Sequence, residues 1–218
     1  MIKRIFDLLL SSIGIILVLP ILIATSVILR ISGEGKVLYF QKRVGLDGED
    51  FFVYKFVTMY EGSESVGSGI YTAKNDSRVL PFGKFLRSSK INELPQLFNV
   101  FLGTMSIVGP RPLIRETFML YNPDQQLIIS SLKPGITGAA SVIFRDEESI
   151  LENADGELEE FYKSNITPIK AELEIWYHKN QSLFVDIKII LLTVLSVIFP
   201  KSKFAKFIFK GLPHDYNK

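Results

Sequence analysis

The sequence from Arg87 to Leu113 reads RSSKINELPQLFNVFLGTMSIVGPRPL and is the most informative stretch of this chain. It combines two arginines, Arg87 and Arg111, with a single acid, Glu93. Arginine binds phosphate oxygens through paired hydrogen bonds, so these residues indicate a site for a phosphorylated substrate. Asn92, directly before the acid, carries an uncharged amide.

The middle of this stretch also predicts a helix. Asn92 is a favourable N-cap residue, Pro95 is tolerated in a first helical turn, and apolar residues then recur at helical spacing. Gly103 is a plausible C-terminal stop. We therefore expect Asn92 to cap this helix, and the amides at the helix start to favour a phosphate.

Length and composition restrict the class of protein. A chain of 218 residues fits one domain plus a membrane element, and 47% apolar residues is high for a soluble protein of this size. The net charge of +2 is too small to argue for a nucleic-acid partner. The chain has no cysteine, so disulfides and thiolate chemistry are excluded, and any bound metal should be a hard, oxygen-ligated ion.

Two strand-like runs, 37–41 and 51–56, flank the turn residues 45–48 and predict a β-hairpin. Lys55 would lie at the end of the second strand, where its side chain can point into a site. The segment 61–77 is rich in glycine, serine and charge, which is typical of a mobile loop.

The run 5–31 is nearly all apolar and is long enough to cross a bilayer core of about 30 Å. Pro20 removes a helical hydrogen bond and favours a kink in its middle. Positive charge flanks both ends, so the charge rule gives no direction. A helix that enters, bends and leaves on the same face fits these features, and a signal anchor or a cleaved signal peptide are the alternatives.

Two C-terminal segments are candidates for the membrane surface. The apolar run 184–199 contains Asp186 and Lys188, which favours a buried or interfacial helix over a membrane span. The tail 201–210 alternates lysines with aromatic residues, a pattern that suits an anionic leaflet. A solvated helix end is the alternative for this tail.

Three further motifs accompany the central stretch: QKRVG at 41–45, YKFVTM at 54–59 and KPGITG at 133–138. With it, they resemble the bacterial sugar transferase family, the monotopic phosphoglycosyl transferases. The resemblance implies an α/β fold with a re-entrant membrane helix at 1–32. A catalytic domain with a short β-hairpin and interfacial helices would follow at 33–218, on the cytoplasmic face of the bacterial inner membrane.

The resemblance also implies a reaction and its partners. Such enzymes transfer a sugar 1-phosphate from a UDP-sugar to polyprenyl phosphate, with Mg²⁺, and release UMP. This is the first membrane step in the assembly of a polysaccharide, such as an exopolysaccharide or lipopolysaccharide, or of a glycoprotein. Membrane lipid, a second copy of the chain and the later glycosyltransferases are its expected partners.

The resemblance assigns roles to eight residues. In the family an Asp-Glu pair stands at Asn92 and Glu93, where it is the catalytic pair and the expected Mg²⁺ ligand, and the Asp is the nucleophile. The other six residues contact the substrates. Lys55, Arg87 and Arg111 would bind substrate phosphate, and Arg145, Glu174 and Asp186 would lie in the nucleotide and sugar region.

Asn92 leaves three interpretations open, because an amide is a poor nucleophile and carries no charge for Mg²⁺. In the first, the chain is an active variant in which Glu93 is the nucleophile or supports direct attack by the lipid phosphate. In the second, it is a catalytically impaired form that still binds substrates. In the third, it is a pseudoenzyme that binds partner glycosyltransferases. We favour the first, because Lys55, Arg87, Glu93 and Arg111 are intact.

Overall fold

The computed structural model describes residues 1–32, 35–63, 76–145, 147–152 and 158–199. The helices and strands, in chain order, are α1 (Ile2–Ile31), β1 (Leu38–Val44), β2 (Asp50–Phe56), α2 (Pro81–Ser88), α3 (Gln96–Leu102), β3 (Ser106–Val108), α4 (Arg115–Phe118), α5 (Pro123–Ser130), β4 (Gly135–Thr137), α6 (Ala139–Ile143), α7 (Glu147–Glu152), α8 (Leu158–Phe161), α9 (Thr167–Asn180) and α10 (Leu183–Ile198). The mixture of helices and small sheets confirms the predicted α/β class. The tail 201–210 lies outside the described residues.

The described residues form two compact units. Unit 1 comprises Met1–Lys42, Phe52–Gly103 and Asp146–Leu158, and unit 2 comprises Arg43–Phe51, Thr104–Arg145 and Glu159–Lys218. The predicted division between a membrane segment, 1–32, and a catalytic domain, 33–218, concerns placement relative to a membrane and stays a prediction.

In unit 1, the apolar N-terminal run forms one 30-residue helix, α1, that continues through Pro20. Among the described helices, α1 is the one that is long and apolar enough to cross a membrane. Its first turn is fastened to the end of α3, because the Arg4 guanidinium donates to Val100 O at 2.6 Å and to Phe101 O at 2.7 Å. The re-entrant arrangement at Pro20 stays a prediction.

One stripe of α1 packs against the rest of unit 1. The residues of this stripe are spaced three or four apart, as one helix face requires: Arg4, Asp7, Ser11, Gly14, Val18, Leu22, Thr25 and Leu29. The opposite faces expose large apolar side chains, including Ile16 at 70% and Leu17 at 72%. The helix therefore contacts protein along its length on one face and leaves an apolar face uncovered.

The predicted hairpin is present, with β1 and β2 paired in a two-stranded sheet. The connection between them is a short 3-10 turn, Leu46–Gly48, in which Asp47 and Gly48 adopt positive φ values of 55° and 77°. Arg115 holds this turn by donating to Gly48 O at 2.9 Å. Glycine and aspartate tolerate this left-handed backbone, which explains the turn signal in the sequence.

Unit 2 is built on a second sheet, in which β3 pairs with β4 in parallel. Its largest core cluster joins this sheet to α6, α9 and α10 through the buried residues Val108, Ala139, Ala140, Val142, Leu173, Tyr177, Ile189 and Leu192. The helix α10 buries one face in this core and exposes Phe184, Ile187, Leu191, Val194 and Ile198 on another. The apolar run 184–199 therefore forms an amphipathic helix.

Candidate functional site

The direct sequence neighbours of the four predicted site residues of unit 1 pack in one apolar cluster. Phe56, Leu86, Ile91 and Leu94 pack in this cluster, and they are the direct sequence neighbours of the four site residues Lys55, Arg87, Asn92 and Glu93. Leu22 and Leu29 of α1 complete it, which places these four residues around the same core that anchors the apolar helix.

Lys55 lies on β2 with its side chain half-buried. Its ammonium donates to Gln41 Oε1 on β1 at 3.0 Å. Two of the sequence motifs, 41–45 and 54–59, therefore meet across the hairpin. This hydrogen bond orients the Lys55 side chain, and its role in phosphate binding stays a prediction.

Asn92 and Glu93 lie in a 3-10 turn, Ile91–Glu93, so the predicted N-cap role of Asn92 is wrong. The helix α3 begins only at Gln96, with Pro95 at its cap position, although it ends at Gly103 as predicted. Lys90 enters the turn at φ 60°, a left-handed conformation that is costly for a residue with a Cβ.

The amides near this helix start are used within the turn. The N–H groups of Glu93 and Leu94 donate to Lys90 O and Ile91 O, and the Leu97 N–H donates to Leu94 O, each at 3.1 Å. These three amides are therefore not available to the phosphate that the sequence predicts at this helix start.

Asn92 is buried, with 8% of its surface exposed. Within the described part of the chain, its Oδ1 atom is buried and has no hydrogen-bond partner. A buried carbonyl oxygen without a partner is costly, and a donor or a hard cation would satisfy it. The neighbouring carboxylate of Glu93 is half-buried, so the pair offers two oxygen ligands of the kind that Mg²⁺ prefers.

Arg87 lies in the last turn of α2, where it is half-buried. Its positive charge helps to lower the pKa of Asp76, although the main cause of that lowered pKa is the hydrogen bond that Asp76 accepts from Arg78. Arg78 and Asp76 form a buried ion pair at 2.6 Å, with 6% of each side chain exposed. Sequence reasoning missed this pair because it lies at the end of the predicted loop 61–77, of which 64–75 is outside the described residues.

In unit 2, Arg111 belongs to a segment with closely fixed backbone on both sides. The Gly109 N–H donates to Thr137 O at 2.9 Å, and the Gly135 N–H donates to Pro110 O at 2.8 Å. Arg43 donates to Pro112 O at 3.2 Å. The motifs 41–45 and 133–138 therefore both contact the segment that carries Arg111.

Glu174 contacts this segment directly. It lies on α9 with 3% of its surface exposed, and its carboxylate accepts the backbone N–H of Arg111. Burial raises the pKa of Glu174 to about 7, while the Arg111 N–H and the charge of Lys170 oppose the rise. The structure therefore brings two of the predicted site residues together in unit 2.

Asp186 and Arg145 are not joined to that pair by the described contacts. Asp186 is fully buried near the start of α10 and accepts a hydrogen bond from the Tyr177 hydroxyl at 2.6 Å. This contact gives Asp186 a packing role between α9 and α10. Arg145 is half-buried just after α6, and the Asp146 that follows lies outside the described residues. The nucleotide role of both residues stays a prediction.

No group of three or more His, Cys, Asp or Glu side chains clusters as a ready-made metal site in the described ranges. Asn92 and Glu93 remain the candidate pair for an Mg²⁺ ion.

The described residues thus form an α/β protein with a long apolar helix, α1, that is long enough to cross a membrane. A family model described as bacterial sugar transferase matches residues 1–200. The chain belongs to this family, as its motifs predict.

Curated relatives carry related names. Over 207 residues, the chain is 36% identical to a UDP-glucose:undecaprenyl-phosphate glucose-1-phosphate transferase of Klebsiella pneumoniae, and the match covers 93% of this chain and 41% of the relative. A UDP-N-acetylgalactosamine-undecaprenyl-phosphate N-acetylgalactosaminephosphotransferase of Aeromonas hydrophila is 35% identical, with 90% and 44% covered. This chain thus spans about two fifths of the length of these two relatives.

A shorter relative matches over most of its own length. The uncharacterized sugar transferase EpsL of Bacillus subtilis is 35% identical over 196 residues, which cover 90% of this chain and 87% of the relative.

Proposed function

We propose that this protein transfers a sugar 1-phosphate from a UDP-sugar to polyprenyl phosphate, such as undecaprenyl phosphate, and releases UMP. Family membership and the names of the relatives support this reaction. The observation that carries it is the apolar cluster of unit 1, in which residues of α1 pack with the direct sequence neighbours of Lys55, Arg87, Asn92 and Glu93. The reaction joins a lipid substrate to a water-soluble one, so its site should lie next to the helix that contacts the membrane.

The uncovered apolar faces of α1 and α10 support a placement at the membrane. Because α1 contacts protein from Arg4 to Leu29 on one face, lipid would cover its opposite face. The exposed face of α10 would lie at the same kind of interface. We place the protein at the cytoplasmic face of the bacterial inner membrane, with α1 embedded in a re-entrant manner.

Glu93 is the proposed nucleophile. One oxygen of its carboxylate attacks the β-phosphorus of the UDP-sugar, the bond from that phosphorus to the bridging oxygen breaks, and UMP leaves with the electron pair. An oxygen of polyprenyl phosphate then attacks the same phosphorus and restores the Glu93 carboxylate. Glu93 suits this role because it is half-buried, whereas Asn92 is buried and uncharged.

The remaining groups neutralise and orient the diphosphate. In unit 1, the proposed phosphate ligands Arg87 and Lys55 supply positive charge. In unit 2, the guanidinium of Arg111 is the third proposed phosphate ligand. An Mg²⁺ ion held by Glu93 and the Asn92 amide oxygen would supply further charge neutralisation on the diphosphate when bound. The sugar would be selected near Arg145.

The test is UMP release by the purified full chain in detergent, with undecaprenyl phosphate, Mg²⁺ and a panel of UDP-sugars. We expect release that depends on the lipid phosphate and that falls at least about a hundredfold in Arg87→Ala, a loss of roughly 3 kcal/mol of transition-state stabilisation. Lys84→Ala, an exposed cation on the same helix, serves as the matched control and should keep native activity. Absence of release with every sugar would contradict the proposal.

A further inference from the structure

The buried carboxylate of Glu174 has a position that general packing does not explain. Its carboxylate accepts the backbone N–H of Arg111, and its Oε2 atom is buried without a hydrogen-bond partner among the described residues. An unpaired carboxylate oxygen in the interior costs free energy, so an apolar residue would serve packing alone better.

The surroundings of Glu174 are charged and largely buried. Lys170, one turn earlier on α9, is 5% exposed and acts on Glu174 as a positive charge. From the π-helical turn before α9, the Tyr162 hydroxyl accepts from Lys170 at 2.8 Å, and the Lys170 ammonium lies 5.4 Å from the ring centre of Phe144. Burial and the hydrogen bond to Asp186 raise the pKa of Tyr177, on the same helix, and the charge of Glu174 adds a small part.

The backbone on either side of Arg111 is already fixed. Pro110 and Pro112 are held through their carbonyls by Gly135 and Arg43, and Leu113 O accepts the Val44 N–H at 2.9 Å. The N–H of Arg111 is the donor that this set of contacts leaves to Glu174. A single carboxylate therefore completes the anchoring of the residue that presents the guanidinium.

We infer that Glu174 is a positioning residue, which fixes the backbone of Arg111 so that its guanidinium is presented to the diphosphate of the UDP-sugar. This inference rests on the proposed function, because it takes Arg111 as a diphosphate ligand. The ionised carboxylate accepts the Arg111 N–H more strongly than the neutral acid does. Because burial raises the pKa of Glu174 to about 7, the strength of this anchor changes between pH 6 and pH 8.

The experiment measures the affinity of the full chain in detergent for UDP-glucose and UDP-N-acetylgalactosamine by titration calorimetry from pH 6 to pH 8.5. The diphosphate of a UDP-sugar does not titrate in this range, so a pH effect reports on the protein. For the native chain, we expect affinity to fall severalfold as the pH drops below 7.

In Glu174→Gln we expect UDP-sugar binding to be about tenfold weaker at pH 8, because one charge-assisted hydrogen bond is lost. We also expect the affinity of this variant not to depend on pH. Glu160→Gln, at an exposed position of α8, should bind with native affinity and keep the native pH profile. In the Arg111→Ala background, Glu174→Gln should have no additional effect, because a positioning residue acts only through the residue that it positions.

Three results would overturn the inference. Native affinity and pH profile in Glu174→Gln would do so, as would an undiminished effect of that variant in the Arg111→Ala background. A native chain whose affinity does not change between pH 6 and pH 8.5 would also contradict it, even if the variants failed to fold. If neither the native chain nor Glu160→Gln bound any UDP-sugar, the proposed function itself would fail together with the inference.

Discussion

Gly135 lies so close to Gly109 that a Cβ built on Gly135 would be 2.1 Å from the Gly109 nitrogen. A Cβ on Gly109 would be 2.2 Å from Lys133 O, and one on Gly138 would be 2.2 Å from Gly109 O. The backbones of the two motifs that carry Arg111 and the sequence KPGITG therefore touch directly. Glycine is required at these positions because two backbone segments of the chain approach closely there, and not because the backbone has an unusual φ.

Gly135→Ala should destabilise unit 2 by several kcal/mol, because the added methyl group meets backbone atoms that cannot rotate away. Thermal unfolding of the purified chain in detergent measures the effect. Gly14→Ala is the matched control, since its Cβ would lie 3.4 Å from Leu97, an ordinary contact. In the middle of α1 it should raise stability by about 0.5–1 kcal/mol. Native-like unfolding of Gly135→Ala would contradict the packing described for the two motifs.

Asp76→Asn should destabilise the protein by about 3–5 kcal/mol, because it leaves Arg78 charged and buried. Glu61→Gln is the control, because it removes the partner of Lys36 in an ion pair that is 55% and 64% exposed. That substitution should cost less than about 1 kcal/mol. Equal effects of the two substitutions on the unfolding temperature would show that the Asp76–Arg78 pair is not desolvated.

The same ion pair predicts how stability depends on pH. The hydrogen bond from Arg78 lowers the pKa of Asp76 below its ordinary value, so the folded state binds this proton less readily than the unfolded chain. The contribution is therefore complete above about pH 4, the ordinary pKa of an aspartate, and is lost as the pH falls through the lowered value. Asp76→Asn should remove this part of the acid dependence in unfolding curves recorded from pH 6 down to about pH 2.

Leu191→Glu should weaken binding to anionic vesicles at least about tenfold, because it places a charge on the exposed apolar face of α10. Leu191 is 56% exposed on this face. The control, Asn180→Asp, adds the same charge at an exposed position at the end of α9 and should leave vesicle binding nearly unchanged. Vesicle flotation measures both variants, and equal loss would indicate a general charge effect instead of an interface.

Asn92→Leu should raise stability by about 1 kcal/mol, because it removes a buried oxygen that has no hydrogen-bond partner in the described structure. It should also abolish any effect of Mg²⁺ on UDP-sugar affinity, because the amide oxygen is a proposed ligand. Thermal unfolding and calorimetry with and without Mg²⁺ test the two effects separately. A lower unfolding temperature would contradict the view that function, not stability, keeps a polar residue here.

Local features of the fold could be predicted from the sequence. The length of α1, the hairpin turn at 45–48 and the helix end at Gly103 all depend on residues that are close in the chain. The N-cap role of Asn92 failed because the 3-10 turn uses its own amides, and Pro95 delays the start of α3. Residue propensity alone does not distinguish a helix capped by Asn92 from one that begins at Gln96.

Contacts between distant parts of the chain could not be predicted in the same way. The hydrogen bond between Arg111 and Glu174 joins residues more than sixty positions apart, and only the spacing of a family pattern indicated Glu174 at all. The Asp76–Arg78 pair lies at the end of the segment 61–77, whose composition is typical of loops and does not indicate a buried ion pair. Burial decides the role of each of these charged residues, and burial depends on the tertiary fold.

The role of Glu93 in group transfer is the central claim, and UMP release by three chains tests it most directly. The native chain, Glu93→Gln and Asn92→Asp are compared with the same UDP-sugar, undecaprenyl phosphate and Mg²⁺. We predict release by the native chain, a loss of at least about a thousandfold in Glu93→Gln, and release by Asn92→Asp at or above the native rate. Release by Asn92→Asp alone, with none from the native chain, would contradict the claim that Glu93 is the nucleophile.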